Sequence, residues 1–182
     1  MLEILTFTGV TLILAFVSRA SLRHPGSHGF YRFIAWECML GLLVMNMRVW
    51  YVDTESTNQI IAGSLFFISL LLVFFGVVLL KVSGKPDSNR DDVPLLGFEK
   101  TTALVTSGIY RYIRHPMYSS LIFLSWGFFF KQPSIAGSML ALVASIFMIA
   151  TARAEERENI NYFGDVYREY MKRSKMFLPF VL

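Results

Sequence analysis

Apolar side chains in this sequence are gathered into long blocks that polar stretches separate. Residues 60–80 form a block of 21 residues without a charge, and about 20 apolar residues are needed to cross a hydrocarbon layer of about 30 Å as a helix. A second uncharged block covers residues 135–152, and a shorter one covers residues 117–130. The stretch from Lys131 to Pro133 lies between these two blocks, so they predict a tight helical hairpin.

Two further apolar blocks precede these three. Residues 2–17 are near the lower length limit for a span, and residues 33–52 are apolar but contain Glu37, Asn46 and Arg48. No basic start precedes the first block and no small-residue cleavage site follows it, so it is interpreted as an uncleaved anchor rather than a signal peptide. The pattern therefore predicts an all-α, polytopic membrane protein with about five transmembrane helices in a single domain, residues 1–182.

The composition agrees with a membrane location and excludes several protein classes. Of the 182 residues, 54% are hydrophobic and only 16% are charged, whereas a soluble domain usually carries about 25% charged residues. An ordinary water-soluble enzyme is therefore excluded. Cys38 is the only cysteine, which excludes a disulfide-stapled scaffold, and the high aromatic content excludes a disordered chain.

The distribution of the basic residues orients the predicted helices. Residues 18–32, 81–116 and 153–182 contain 15 of the 17 Lys and Arg residues, and the loop 53–59 contains none. By the positive-inside rule the basic segments face the cytosol, which gives an N-out/C-in topology. The cations flank membrane spans and form no separate basic domain, so a lipid surface is expected as the partner and nucleic acid is not. Cytosolic chemistry is then expected in segments 81–116 and 153–182.

The segment before the fourth predicted span combines aromatic and basic residues with a proline. It reads LVTSGIYRYIRHPMY over residues 104–118. Pro116 suits the first position of a helix, where its missing N–H needs no partner, and His115 then lies at the cap. Free N–H groups at a helix start, with Arg111 and Arg114 nearby, favour an anion. The alternative is a juxtamembrane collar in which the Arg residues contact lipid phosphates.

The fifth predicted span continues beyond its apolar residues, because residues 153–162 contain no helix breaker. Gly164 is expected to end that helix and Asp165 to cap a short second helix over residues 166–173. Glu155 and Glu156 lie about one turn beyond the apolar block. They either form a hydrated helix face with ordinary ion pairs, or they bind a polar or cationic group, such as a ribose diol or a sulfonium, at the membrane surface.

Familiar nucleotide-binding loops and metal motifs are absent from the sequence. His24 and His28 are four residues apart, but Pro25 and Gly26 between them prevent a helical metal pair, so no metal site is expected. Glu37 is a different case, because a carboxyl group inside a span is costly. It is either a functional residue or a protonated group that hydrogen-bonds a neighbouring helix.

Segment 104–118 and the pair Glu155–Glu156, followed by Phe163–Gly164, Tyr167 and Tyr170, together resemble one protein family. They are similar to the integral-membrane methyltransferases that include isoprenylcysteine carboxyl methyltransferases and phospholipid N-methyltransferases. The resemblance runs from Leu104 to Phe180. It implies S-adenosylmethionine as the methyl donor, bound at the cytosolic surface between the Arg-His-Pro segment and the Glu-Glu helix. A hydrophobic or lipid-like methyl acceptor would reach it from the bilayer.

The resemblance also implies functional residues at matching positions. The implied catalytic residues are Arg173, Arg114 and Glu156. The implied cofactor-binding residues are Gly108, Ile109, Tyr110, His115, Pro116, Tyr118, Glu155 and Glu156. A carboxylate acceptor needs no general base and would be oriented by Arg173 or Arg114, whereas an amine acceptor would need Glu156 or His115 as a base.

The chemistry of the acceptor stays open at this point. A prenylated cysteine, an ethanolamine phospholipid, a quinone-like ring and a small thiol are all compatible with the resemblance. Two other functions are also kept as hypotheses. One is a membrane reductase of the sterol-reductase kind, which uses NADPH, and the other is a scaffold or transporter without enzymatic activity.

Overall fold

Seven α-helices and two 3-10 turns make up the regular structure of the computed structural model, which describes residues 1–85, 87 and 100–179. The α-helices are α1 (Leu2–Val17), α2 (Arg19–Leu22), α3 (His28–Asn46), α4 (Thr57–Ser83), α5 (Pro116–Lys131), α6 (Ile135–Phe163) and α7 (Asp165–Arg173). The 3-10 turns cover Met47–Val49 and Gly108–Arg111. Part of the predicted cytosolic segment 81–116 lies outside the described residues, as does Phe180.

The predicted all-α fold is confirmed for the described residues. Three helical stretches are long and apolar enough to cross a membrane: His28–Val49, Thr57–Ser83 and Ile135–Phe163. Helix α1 is apolar but has only 16 residues, and α5 also has 16. The structure therefore supports three membrane-crossing helices by length and composition.

Several helix boundaries follow from local signals. Pro116 is the first residue of α5, as predicted, and α6 continues to Phe163 before Gly164 ends it with a φ of 63°. Helix α7 was predicted from 166, but it begins at Asp165, which is its first residue rather than its cap. The Asp165 side chain instead accepts a hydrogen bond from Arg168 at 2.6 Å.

The second predicted span is shifted along the chain. Helix α3 begins at His28 rather than at residue 33, because the Ser27 hydroxyl accepts the backbone N–H of Phe30 at 3.3 Å and caps the helix there. At its other end the α-helix stops at Asn46 instead of continuing to residue 52. The shift makes His28 the first residue of α3, and its side chain is buried there.

The helices pack in a continuous series. Helix α1 contacts α3, α3 packs on α6, α6 on α5, and α5 on α4. At one end of the bundle Trp50, Phe66 and Phe128 form an aromatic cluster with ring centroids 5.4–5.8 Å apart. Lys131 closes that end by donating to the Trp50 carbonyl at 2.7 Å. The opposite end of the bundle contains the start of α5 and the polar half of α6. The polar side chains of the protein's candidate site lie at this end.

Glu37 connects two helices of the bundle. The Thr11 hydroxyl on α1 donates a 2.7 Å hydrogen bond to the Glu37 carboxyl group on α3. This contact agrees with the second sequence interpretation, in which Glu37 hydrogen-bonds a neighbouring helix. The hydrogen bond links α3 to α1, a helix that has no buried residue of its own.

Candidate functional site

The 3-10 turn Gly108–Arg111 forms one wall of the site and is tied to two helices. The Tyr110 hydroxyl donates to the Gly76 carbonyl on α4 at 3.3 Å, and the Tyr170 hydroxyl on α7 donates to the Tyr110 carbonyl at 2.6 Å. Burial raises the pKa of Tyr170 to about 12, so its hydroxyl keeps the proton that it donates. The turn is therefore fixed between α4 and α7.

Gly108 is required by the geometry of this turn. Its φ is +57°, and a Cβ atom at this position would lie 2.6 Å from a methyl carbon of Leu79. A side chain here meets both backbone strain and a steric clash.

We expect Gly108→Ala to lower the thermal unfolding temperature in detergent by several degrees, because a side chain at this positive φ costs about 1–3 kcal/mol and the Leu79 side chain must also move aside. Gly63→Ala is the matched control, since a Cβ atom there meets nothing within 4 Å. Equal unfolding temperatures for the two variants would contradict this account of the turn.

The carboxyl-terminal segment returns to pair with the residues just before α5. The backbone N–H of Arg114 donates to the Lys175 carbonyl at 2.7 Å, and that of His115 donates to the Met176 carbonyl at 3.1 Å. The Ser119 hydroxyl adds a 2.8 Å bond to the Phe177 carbonyl. These bonds lay the segment against the start of α5, where it covers His115.

His115 lies at the centre of the site between two carboxylates. It is 5% exposed, and its Nδ1 and Nε2 atoms are each 3.4 Å from a carboxylate oxygen, of Glu155 and Glu156 respectively. The Tyr118 ring stacks on the imidazole with centroids 5.4 Å apart, and its hydroxyl hydrogen-bonds Glu155. The sequence motifs predicted to act together are therefore in contact.

Arg114 joins the same network from the other side of Glu156. Its Nε atom donates to the Glu156 carboxylate at 2.6 Å, and both side chains are 9% exposed. Its Nη1 atom also donates to the Met171 carbonyl at 3.3 Å and to the Ser174 carbonyl. Arg114 thus connects α6, α7 and the segment before α5, and its donors are largely used within the protein.

The network shifts the pKa values of its members in opposite directions. Both carboxylates lie beyond the uncharged stretch 135–152 of α6. Burial alone would lower the pKa of His115, but Glu155 and Glu156 outweigh burial and raise it. Burial would raise the pKa of Glu155, yet His115 and the Tyr118 hydroxyl lower it to about 2. The pKa of Glu156 is likewise lowered, by His115 and Arg114.

These shifts predict how stability depends on pH. Because the folded-state pKa of His115 is raised above its usual 6.5, its contribution is fully present at lower pH and is lost as the pH rises through the raised value. We expect the thermal unfolding temperature of the wild type in detergent to fall with rising pH in the window above about pH 6.5. The His115→Gln variant should show a flatter profile in that window.

Exposed His24 supplies the control for this measurement, since His24→Gln should keep the profile of the wild type. Parallel profiles for the wild type and His115→Gln would contradict the raised pKa of His115.

A cleft with a cavity volume of about 60 Å³ lies beside this network, so in this structure it is smaller than the range of about 300–1,000 Å³ that small-molecule sites occupy. Its polar lining includes Glu155, Glu158 and Asn159 from α6, and its aromatic lining includes Phe163 and Tyr167. A smaller space of about 40 Å³ adjoins it, lined by Pro116 and Tyr118. The cleft therefore offers carboxylates and aromatic rings together, as an adenosine group with an attached cation would need.

Most of the sequence-predicted residues lie in or next to the cleft. Tyr110, Arg114, His115 and Glu155 line the cleft, and Pro116 and Tyr118 line the adjoining space. Glu156 forms the ion pair behind them. Gly108 and Ile109 belong to the turn that positions Tyr110.

Arg173 lies apart from the cleft. Together with Arg111 and Tyr112 it lines a separate, open concavity, and its side chain is exposed. Arg114, which the resemblance assigned to the same site as Arg173, lines the cleft instead.

Glu158 and Asn159 are cleft residues that the sequence analysis did not select. They follow Glu155 at i+3 and i+4 on α6, which places all three on one face of the helix. That spacing is a signal that could have found them. No group of three or more His, Cys, Asp or Glu side chains in the described part of the chain is arranged to hold a metal ion.

An apolar groove of about 430 Å³ lies along α5 and α6. Its lining includes Ile122, Trp126 and Ile149, and it extends to Phe177. The Phe177 ring lies 6.3 Å from the imidazole of His115. The groove and the polar cleft therefore approach each other at this pair of rings.

Comparisons with known proteins identify similar sequences. The model of a family described as phospholipid methyltransferase matches residues 57–166, a range that contains His115, Glu155 and Glu156. The chain is 26% identical over 141 residues to the methanethiol S-methyltransferase of Pseudomonas deceptionensis, covering 74% of this chain and 51% of that enzyme. It is 36% identical over 115 residues to the protein-S-isoprenylcysteine O-methyltransferase of Rattus norvegicus, covering 62% of this chain and 40% of that enzyme.

The human isoprenylcysteine enzyme gives the same identity and coverage as the rat enzyme. The chain thus aligns with about half or less of the length of these curated relatives. No solved structure matches it.

Proposed function

Because the chain belongs to the phospholipid methyltransferase family, we propose that it transfers a methyl group from S-adenosylmethionine to a lipid-like acceptor at the membrane surface. The observation that carries this proposal is His115, buried between Glu155 and Glu156 where a polar cleft meets an apolar groove. A methyl donor that is soluble in water and an acceptor that is soluble in lipid need adjoining sites of these two kinds.

The side chains that line the polar cleft suit the donor, for which the cleft would have to open further. S-adenosylmethionine, when bound, supplies a methyl group activated by a sulfonium centre. Glu155 and Glu158 would oppose its positive charge or accept from the ribose hydroxyl groups, while Phe163 and Tyr167 would contact the adenine. His115 and Tyr118 hold Glu155 ionised and in place, so the site is preorganised for a cationic ligand.

The apolar groove fits the acceptor. It is lined almost wholly by carbon atoms of α5, α6 and the carboxyl-terminal segment. A lipid chain could lie in it with its polar end near Phe177 and His115. This favours a long hydrophobic acceptor, like the isoprenylcysteine named for the rat and human relatives, over a small thiol like the methanethiol named for the bacterial one.

The charge state of the site narrows the acceptor chemistry further. Glu155 and Glu156 raise the pKa of His115, which favours the form that already carries its proton, and His115 and Arg114 lower the pKa of Glu156, which makes it a weaker base, so neither group is suited to take a proton from an acceptor. An acceptor that arrives as an anion, such as a carboxylate or thiolate, needs no base. The exposed guanidinium groups of Arg111 and Arg173 lie outside the cleft, where they would orient such an anion on entry.

The topology proposed with this function has five transmembrane helices. Helices α1 and α5 would complete the three longer spans, with the amino terminus outside and the site on the cytosolic side. The asymmetry of Lys and Arg supports this orientation. The protein would then be a multi-pass integral membrane protein, of the inner membrane in a prokaryote or the endoplasmic reticulum in a eukaryote.

Calorimetry on the protein in detergent tests the proposed donor site. We expect S-adenosylmethionine and S-adenosylhomocysteine to bind, and Glu155→Ala to weaken binding of S-adenosylmethionine by at least about tenfold, because a charge-assisted contact contributes about 1.5–3 kcal/mol. Binding of NADPH in their place would indicate a reductase. A folded wild-type protein that binds none of them would contradict the proposal.

A further inference from the structure

A second histidine, His28, binds the polar half of α6 from a distant part of the chain. His28 is the first residue of α3 and is 0% exposed. Its backbone N–H donates to one oxygen of the Glu158 carboxylate at 3.1 Å, and its Nδ1 atom lies 2.5 Å from the other oxygen. Both oxygens of Glu158 are therefore held by one residue that lies 130 positions earlier in the sequence.

Glu158 also belongs to the cleft face of α6. It lines the same cleft as Glu155 and His115, one helical turn from Glu155. Two carboxylates at that spacing repel each other when nothing compensates their charges. His115 contacts Glu155 and His28 contacts Glu158, so each acidic side chain of this pair has its own imidazole.

The start of α3 is built tightly enough to act as a fixed support. The Ser27 hydroxyl caps the helix, and Gly29 lies so close to α2 that a Cβ atom there would be 2.2 Å from the Ser21 hydroxyl oxygen. His28 lies between these two residues. Its imidazole therefore has little freedom to move away from Glu158.

We propose that His28 is a positioning residue, which holds the Glu158 carboxylate so that Glu155 and Glu158 together face the methyl donor. The proposal rests on the proposed function, because it concerns the same cleft. His28 itself does not line the cleft, so its hydrogen-bonded link to the cleft runs through Glu158. The charge of His28 also contributes to keeping the pKa of Glu155 low, after the larger effect of His115.

A double-mutant cycle on binding of S-adenosylmethionine tests this dependence. The protein in detergent is titrated by calorimetry as wild type, His28→Ala, Glu158→Ala and the double variant. We expect each single change to raise Kd by about tenfold, as for the loss of a charge-assisted hydrogen bond. The double variant should bind no more weakly than Glu158→Ala, because His28 has nothing left to position.

Two further variants separate positioning from a merely structural role. His28→Asn keeps a hydrogen-bond donor near Glu158 and should restore Kd to within about threefold of wild type. His24→Ala changes an exposed histidine of the same turn and should leave Kd unchanged. If His28→Ala does not fold, His28→Asn and Glu158→Ala still report on the contact.

The outcomes distinguish this inference from the proposed function. A wild-type protein that binds no S-adenosylmethionine overturns both. Wild-type binding with His28→Ala at the same Kd, even with a lower unfolding temperature, overturns the positioning role alone. Additive losses in the double variant overturn it as well, because they would show that His28 and Glu158 act independently.

Discussion

Replacement of Glu156 by Ala is expected to lower the free energy of unfolding by about 3–5 kcal/mol, the usual cost of removing one partner of a buried ion pair. The change leaves the Arg114 guanidinium and the His115 imidazole without the carboxylate that both contact. Arg114 would keep only its two carbonyl acceptors on the carboxyl-terminal side. We therefore expect Glu156→Ala also to lose binding of S-adenosylmethionine.

Denaturation in detergent measures this effect, and Glu169 supplies a matched control. Glu169 pairs with Lys172 at 2.6 Å, but both side chains are about 70% exposed, and such a pair contributes about 0.2–1 kcal/mol. Glu169→Ala should therefore remain close to the wild type in stability and in binding. A Glu156→Ala variant as stable as Glu169→Ala would mean that the Arg114–Glu156–His115 network does not hold the site together.

Filling the apolar groove is expected to stop acceptor methylation while leaving the donor site intact. Ile149 lines the groove on α6, and a Trp side chain at this position would occupy space that the acceptor needs. We expect Ile149→Trp to reduce transfer to a lipid acceptor by more than about tenfold, with the Kd for S-adenosylmethionine changed by less than about twofold.

Ile146 is the matched control for the groove. It is three residues from Ile149 on the same helix, is 61% exposed and lies outside the groove. Transfer rates from labelled S-adenosylmethionine should be close to wild type for Ile146→Trp. Full activity in Ile149→Trp would show that the acceptor does not use this groove.

Much of the site could be predicted from the sequence because its key residues lie next to local signals. Pro116 marks the start of α5 and Gly164 marks the end of α6. Each of these signals acts within a few residues of His115 or of the Glu155–Glu156 pair. Since both motifs flank one helical hairpin, they had to meet at the same end of the bundle.

The remaining features depend on contacts between distant segments, which no local pattern specifies. His28 meets Glu158 across 130 positions, and the pairing of Arg114 with Lys175 forms only when the chain returns after α7. The resemblance groups Arg173 with Arg114, but Arg173 is the exposed last residue of α7 and lines a different concavity from the cleft. The local sequence does not specify which concavity a residue at the end of this helix lines.

Transfer of a labelled methyl group tests the central claim most directly. The purified protein is incubated in detergent with native membrane extract and S-adenosylmethionine that carries the label on its methyl group. We expect the wild type to form a labelled product that partitions into organic solvent, and we expect Glu155→Ala to form none. Label that stays in the aqueous phase, or equal product from both proteins while both are folded, would contradict this claim.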